Sequence, residues 1–139
     1  MKELILYLII SISAEYGIPW QFVKATVAVE SEFNPRAVSP ENRNGTRDWG
    51  LMQLNENYFC LVEWYDPETN IRRGVAHIRW LVDHPWTNTW WSVAVAYNAG
   101  INRINTPPDS TLRYADNVMR MFNEFSGGSA PALLSRSVR

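Results

Sequence analysis

Ala28-Val29-Glu30-Ser31-Glu32-Phe33-Asn34-Pro35 is the stretch from which the rest of the chain is read. The spacing predicts a helix over 19–33. Phe22, Ala25, Val29 and Phe33 fall on one face at helical period, with Val23, Val27 and Glu30 on the adjoining one. Asn34-Pro35 stops it, because the residue before a proline avoids the α region. Glu30 therefore borders an apolar face one turn from a helix end. Burial there disfavours the charged carboxylate, and the negative pole of the helix adds to the effect. Such a carboxyl keeps its proton to higher pH than a free glutamate, which titrates at ~4.3, and is a candidate general acid. Glu32, two residues on, points elsewhere into solvent.

Working outward, a first helix is predicted over 3–16, with Gly17 in the C′ position. Gly17-Ile18-Pro19 breaks the chain, and Pro19 suits the first position of the next helix. Lys2 followed by Leu4-Ile5-Leu6-Tyr7-Leu8-Ile9-Ile10 also has the outline of a short signal peptide. Glu3 within the leader and the shortness of the apolar run favour a buried helix, and the run is too short to span a membrane. Residues 34–49 read as a loop in which Asn44-Gly45 is a turn signal, with a small β-hairpin near 38–50. Residues 50–54 begin a short helical or turn segment. Asp66-Pro67-Glu68 starts a helix to about 84, with Ile71, Val75, Ile78, Leu81 and Val82 inward. A short apolar helix over 90–97 closes at Asn98-Ala99-Gly100. Asp109 or Ser110 caps a last helix to about 125, with Leu112, Ala115, Val118, Met119 and Phe122 inward. The fold class is all-α with one small hairpin: one domain over 1–125, then a flexible tail over 126–139.

Composition narrows the function. At 139 residues, 46% hydrophobic and 19% charged, the chain can bury a real core. Net charge is −1 with no basic stripe, which excludes a nucleic-acid binder. One cysteine, Cys60, cannot build a disulfide framework, and two histidines with that cysteine lack zinc-ligand spacing. No phosphate-cradling glycine loop is present, so no metal or cofactor is expected. Seven Trp, six Tyr and five Phe exceed what a core of this size needs, leaving aromatic rings for sugar stacking.

Three separated motifs stand in order: Glu30-Ser31 with Phe33-Asn34-Pro35, Ala37 and Ser39; then Gly50-Leu51-Met52-Gln53; then Ala96-Tyr97-Asn98-Ala99-Gly100. Asp66-Pro67 with Asn70-Ile71 and Gly74 lies between the last two. Over roughly 4–125 this resembles the soluble lytic transglycosylase domain, a lysozyme-like α fold that cleaves peptidoglycan glycan strands. The segment 42–50, Asn42-Arg43-Asn44-Gly45-Thr46-Arg47-Asp48-Trp49-Gly50, is longer than the family's usual link. It resembles the secretion-system-associated branch and the hairpin of animal-type lysozymes, where an aspartate in the place of Asp48 is the second catalytic carboxylate. The resemblance implies that Glu30 acts as acid and then base on the MurNAc–GlcNAc β-1,4 bond, leaving 1,6-anhydroMurNAc ends. A hydrolytic muramidase using Glu30 with Asp48 is the enzyme alternative, and Asp48 as a turn residue is the plain reading beside it. A non-catalytic wall-binding or structural part of a phage tail or secretion apparatus is the alternative of another class.

Further roles come with the resemblance. Ser39 would bond near the sugar's acetamido group or the acid. Met52 and Gln53 would line the cleft, Met52 serving equally well as core. Tyr97 would bond Glu30 or the glycan, Asn98 would fix a turn or touch substrate, and Tyr114 would close the groove. Trp49 is expected to stack on a sugar, and Trp80 and Trp90 to lie in the core. The implied partner is peptidoglycan, in the periplasm or cell wall, with delivery route, any phage or secretion-machine partner and oligomeric state left open.

Overall fold

The computed structural model describes residues 1–133; the end of the expected tail, 134–139, lies outside the described residues. Among the described residues there are five α-helices, one 3-10 turn and a two-stranded antiparallel sheet: α1 Lys2–Tyr16, α2 Trp20–Ser31, β1 Asp48–Trp49, β2 Leu54–Asn55, α3 Pro67–Asp83, α4 Trp90–Ala99 and α5 Asp109–Phe125. Gly17 ends α1 in the left-handed conformation (φ 66°), as its place after Tyr16 predicts. Asp66 caps α3, its carboxylate accepting from the Thr69 amide at 2.9 Å with Pro67 in the first turn. Thr89 and Ser92 form a reciprocal capping box at the start of α4.

Some boundaries differ from expectation. Pro19 sits at the N-cap of α2 and not inside it. The helix ends at Ser31, two residues early, because Glu32 and Phe33 both adopt positive φ (52° and 64°). The cap of α5 is Pro108, so neither Asp109 nor Ser110 caps it by side chain. The regular strand pair joins 48–49 to 54–55, and an antiparallel Val38↔Trp49 bridge draws the 38–50 segment alongside. The Asn44-Gly45 turn closes that segment, with the Gly45 amide donating to the Asn42 carbonyl at 2.9 Å. After Phe125, Ala130 and Leu133 rest partly buried against the core.

Helix α5 packs against both α2 and α4, and α1 packs against α3. Where the first group meets, Phe22 and Phe122 lie edge to face with ring centroids 5.3 Å apart and Trp90 tilts onto Phe22 at 4.7 Å. Such pairs add about 0.5–1.5 kcal/mol each beyond burial. The hairpin is fastened to this helical body by α3. Buried Asn70 accepts from the Met52 amide at 2.8 Å and donates to the carbonyls of Trp49 and Trp64, each at 3.0 Å. One turn on, Gly74 faces the side chain of Met52, which is fully buried. A Cβ at Gly74 would overlap Met52 Sδ, Cε and Cβ.

Alanine favours a helix interior over glycine by about 1 kcal/mol, but overpacking costs about 1–3 kcal/mol. Gly74→Ala is therefore expected to lower the midpoint of thermal unfolding followed by circular dichroism. An unchanged or raised midpoint would contradict the close helix–hairpin approach.

Candidate active site

A cleft of about 940 Å³ runs between the hairpin and helices α3 and α4. Glu30 opens into it from the last turn of α2. Gln53 and Asp48 reach it from the hairpin, and Tyr97-Asn98 from the end of α4. Two backbone features aim Glu30 and Gln53. The left-handed residues Glu32 and Phe33 turn the chain sharply after Glu30, and Gln53 itself has φ 51°. Each such residue stores ~1–3 kcal/mol and persists only where its surroundings enforce it. Ser31 supplies part of that enforcement: its buried hydroxyl donates to the Leu51 carbonyl at 2.8 Å, tying the end of α2 to the hairpin.

Glu30 keeps a face toward the cleft, yet protein crowds its carboxyl. Burial is the largest influence and pushes its pKa up to about 8. The Tyr114 hydroxyl, donating to Glu30 Oε2 at 2.8 Å, pulls the other way by favouring the carboxylate, and negative Asp48 pushes up again. Burial also holds Tyr114 and Tyr97 well above the usual phenol value, with the charge of Glu30 adding to both, so each remains a neutral donor.

Asp48 lies in the same cleft. Asn42 donates to its Oδ2 at 3.2 Å and Asn55 to its Oδ1 at 2.9 Å. Both amides also bond the Thr46 hydroxyl, so the carboxylate is held in a fixed orientation by a small polar network. Gln53 lines the cleft while its amide donates to the carbonyls of Ala37 and Gly50. Asn98 faces the cleft, its side-chain oxygen accepting from Thr111 at 2.7 Å.

Other expected residues take different places. Tyr97 donates to the Met52 carbonyl at 2.7 Å, not to Glu30; Tyr114 makes that contact. The Met52 side chain is core, and what it offers the site is that carbonyl. Ser39 is not part of the cleft wall. Its hydroxyl donates to the Pro40 carbonyl and accepts from the Asp48 amide at 2.9 Å, so it sets the hairpin backbone. Trp49 packs on Trp64 and donates to Glu56, away from the cleft. Trp80, expected in the core, is 53% exposed and lines the cleft, stacked on His77. Helical geometry carried that signal: Trp80 follows inward-facing Ile78 by two positions and so points to the opposite side. Trp90 is buried as expected. Among the described residues no group of three or more His, Cys, Asp or Glu is placed to hold a metal ion.

Comparison with known proteins bears on this arrangement. The protein IpgF of Shigella flexneri is 27% identical over 123 residues, 77% of this chain and 73% of that one. The membrane-bound lytic murein transglycosylase F of Pseudoalteromonas translucida is 32% identical over 94 residues, 62% of this chain but 19% of that protein. A 31-residue stretch is 52% identical to the milk isozyme of lysozyme C from Equus caballus, 22% of this chain and 24% of that one. The 70-kDa soluble lytic transglycosylase of Escherichia coli shares the fold with a TM-score of 0.75 at 24% identity, over 94% of this chain. This chain spans only 25% of that enzyme's length. Residues 7–119 match the Transglycosylase SLT domain, and the chain belongs to that family.

Proposed function

We propose that this chain cleaves the MurNAc–GlcNAc β-1,4 bond of peptidoglycan as a lytic transglycosylase, with Glu30 as its acid and base and residues 1–125 as the catalytic unit. The observation that carries this reading is the crowded Glu30 carboxyl, bonded through Oε2 to Tyr114 and open to a cleft large enough for a glycan. Glu30 gives its proton to the glycosidic oxygen, the bond from that oxygen to the MurNAc C1 breaks, and the leaving sugar departs as an alcohol. Positive charge on the ring is met by the substrate's own acetamido group. The resulting Glu30 carboxylate, steadied by Tyr114, takes the proton of the MurNAc 6-hydroxyl as that oxygen bonds to C1. The product is a 1,6-anhydroMurNAc end and Glu30 is again protonated. The family match and the likeness to a lytic murein transglycosylase support peptidoglycan as substrate, with action at the cell wall as part of the same reading.

A second reading is supported by Asp48. A carboxylate held at both oxygens by Asn42 and Asn55, in the same cleft as the acid, suits the nucleophile or charge-stabilising role of a retaining hydrolase. Mass spectrometry of digested sacculi separates the two: anhydro ends support the transglycosylase, reducing ends the muramidase. Failure to clear cell-wall suspensions at any pH would favour the non-catalytic alternative.

Glu30→Gln is expected to abolish cleavage with the fold intact; retained activity would overturn both enzyme readings. The same substitution changes stability with pH. Between the ordinary glutamate value of the unfolded chain and about 8 in the folded one, the folded state holds the extra proton. Its stability therefore falls as pH rises through that window, by an amount on the order of a few kcal/mol. The variant lacks this loss. In parallel melts it is expected to gain on the parent at pH 8 and to lose that gain toward pH 4.5; a gain independent of pH would contradict the protonated carboxyl.

Tyr114→Phe removes the hydroxyl that lowers the Glu30 pKa. The alkaline limb of kcat/KM, which reports the free enzyme's acid, is expected to move to higher pH. Movement to lower pH, or none, would contradict the assigned contact.

A further inference from the structure

Beyond the cleft lies a second, smaller hollow of about 450 Å³ whose wall is continuous with it: Ile101 and Asn102 line both. The rest of its lining includes Trp86, Asn88, Ile104 and Asn105. Trp86 is 57% exposed, an unusual position for the largest apolar side chain. Its ring is not loose. It lies 5.0 Å from His84, which lies 5.2 Å from Trp80, so an aromatic row leads from the cleft to the hollow along the end of α3. The Trp86 amide donates to His84 Nδ1 at 3.1 Å, fixing the turn that carries the ring. The side-chain amides of Asn88, Asn102 and Asn105 are exposed, and no hydrogen bond to another described residue occupies them. Among the described residues no acidic or basic side chain lines the hollow.

An exposed indole face beside several uncharged amides has the chemistry of a site for a neutral sugar. The apolar C–H face of a pyranose covers the ring, and amides exchange hydrogen bonds with hydroxyl and acetamido groups. A nucleotide, a phosphate or an acidic peptide would call for a cation, and the lining offers none. We infer that the hollow at Trp86, with Asn88 and Asn105, is a distal binding site for N-acetylated sugar rings of the same glycan strand that occupies the cleft, so that the chain prefers long strands over short ones. Trp80 is the bridge between the two. This rests on the glycan reading of the cleft, and the hollow deepens that reading by adding a length preference.

Binding separates the inference from cleavage. Glu30→Gln protein is titrated by calorimetry with N-acetylglucosamine trimer and hexamer, with and without Trp86→Ala. Trp86→Ala is expected to weaken hexamer binding roughly 3- to 10-fold, the scale of one aromatic contact, and to leave trimer binding unchanged. Trp86→Tyr is expected to retain most of the hexamer affinity, and Asn105→Ala to reproduce part of the loss. Equal losses on both lengths, or none on the hexamer, would overturn the inference. So would a loss seen only with peptide-bearing strands and absent with bare glycan, since the hollow would then be reading the stem. A protein that shows the length-dependent loss yet never cleaves walls would uphold the distal site and overturn the catalytic reading instead.

Discussion

The site depends on one contact made inside a crowded space: the Tyr114 hydroxyl donating to Glu30 Oε2 at 2.8 Å. It joins the end of α2 to the face of α5, elements otherwise held together by Phe22 and Phe122. Desolvation and this hydrogen bond act on Glu30 in opposite directions, and desolvation is the larger. The balance suits a group that must first hold a proton and then be tolerable as an anion. An acid raised by burial alone would give up its proton and find nothing to steady the charge left behind.

Around that contact the fold spends stability to gain position. Glu32, Phe33 and Gln53 hold positive φ without being glycine: the first two lie just after Glu30 at the end of α2, and Gln53 lines the cleft. They are kept there by polar ties of Ser31 and Gln53 to neighbouring carbonyls and by the clamp of Asn70 on the hairpin. The seating of Met52 against Gly74 brings that hairpin onto α3, and the Met52 carbonyl in turn fixes Tyr97. A residue with no side-chain chemistry in the cleft thus orients one that has it.

Much of this could be read in the residues themselves. The helices followed from apolar period and from Gly17, Asp66-Pro67 and Asn98-Ala99-Gly100, because these are local signals. Glu30 was legible because an acid on an apolar face is rare enough to need a reason. What stayed hidden was long-range. That Tyr114 and not Tyr97 reaches Glu30 depends on how α5 crosses α2, which no local pattern encodes. The family resemblance implied that Ser39 bonds near the sugar's acetamido group or the acid, yet the hairpin backbone claims its hydroxyl. Asn42 and Asn55 become partners of Asp48 only once the loop folds back on itself. Trp80 looked like core because tryptophan usually is; its exposure follows from the side of α3 on which it sits.

The protonation of Glu30 can be measured without reference to turnover. Carbon-13 labelling of the glutamate side chains allows each carboxyl to be titrated by NMR, with Glu30→Gln assigning the resonance. A midpoint near 8 is expected for Glu30. A midpoint in the ordinary carboxylate range, near ~4.3, would mean that the group is ionised at neutral pH and is not the acid proposed.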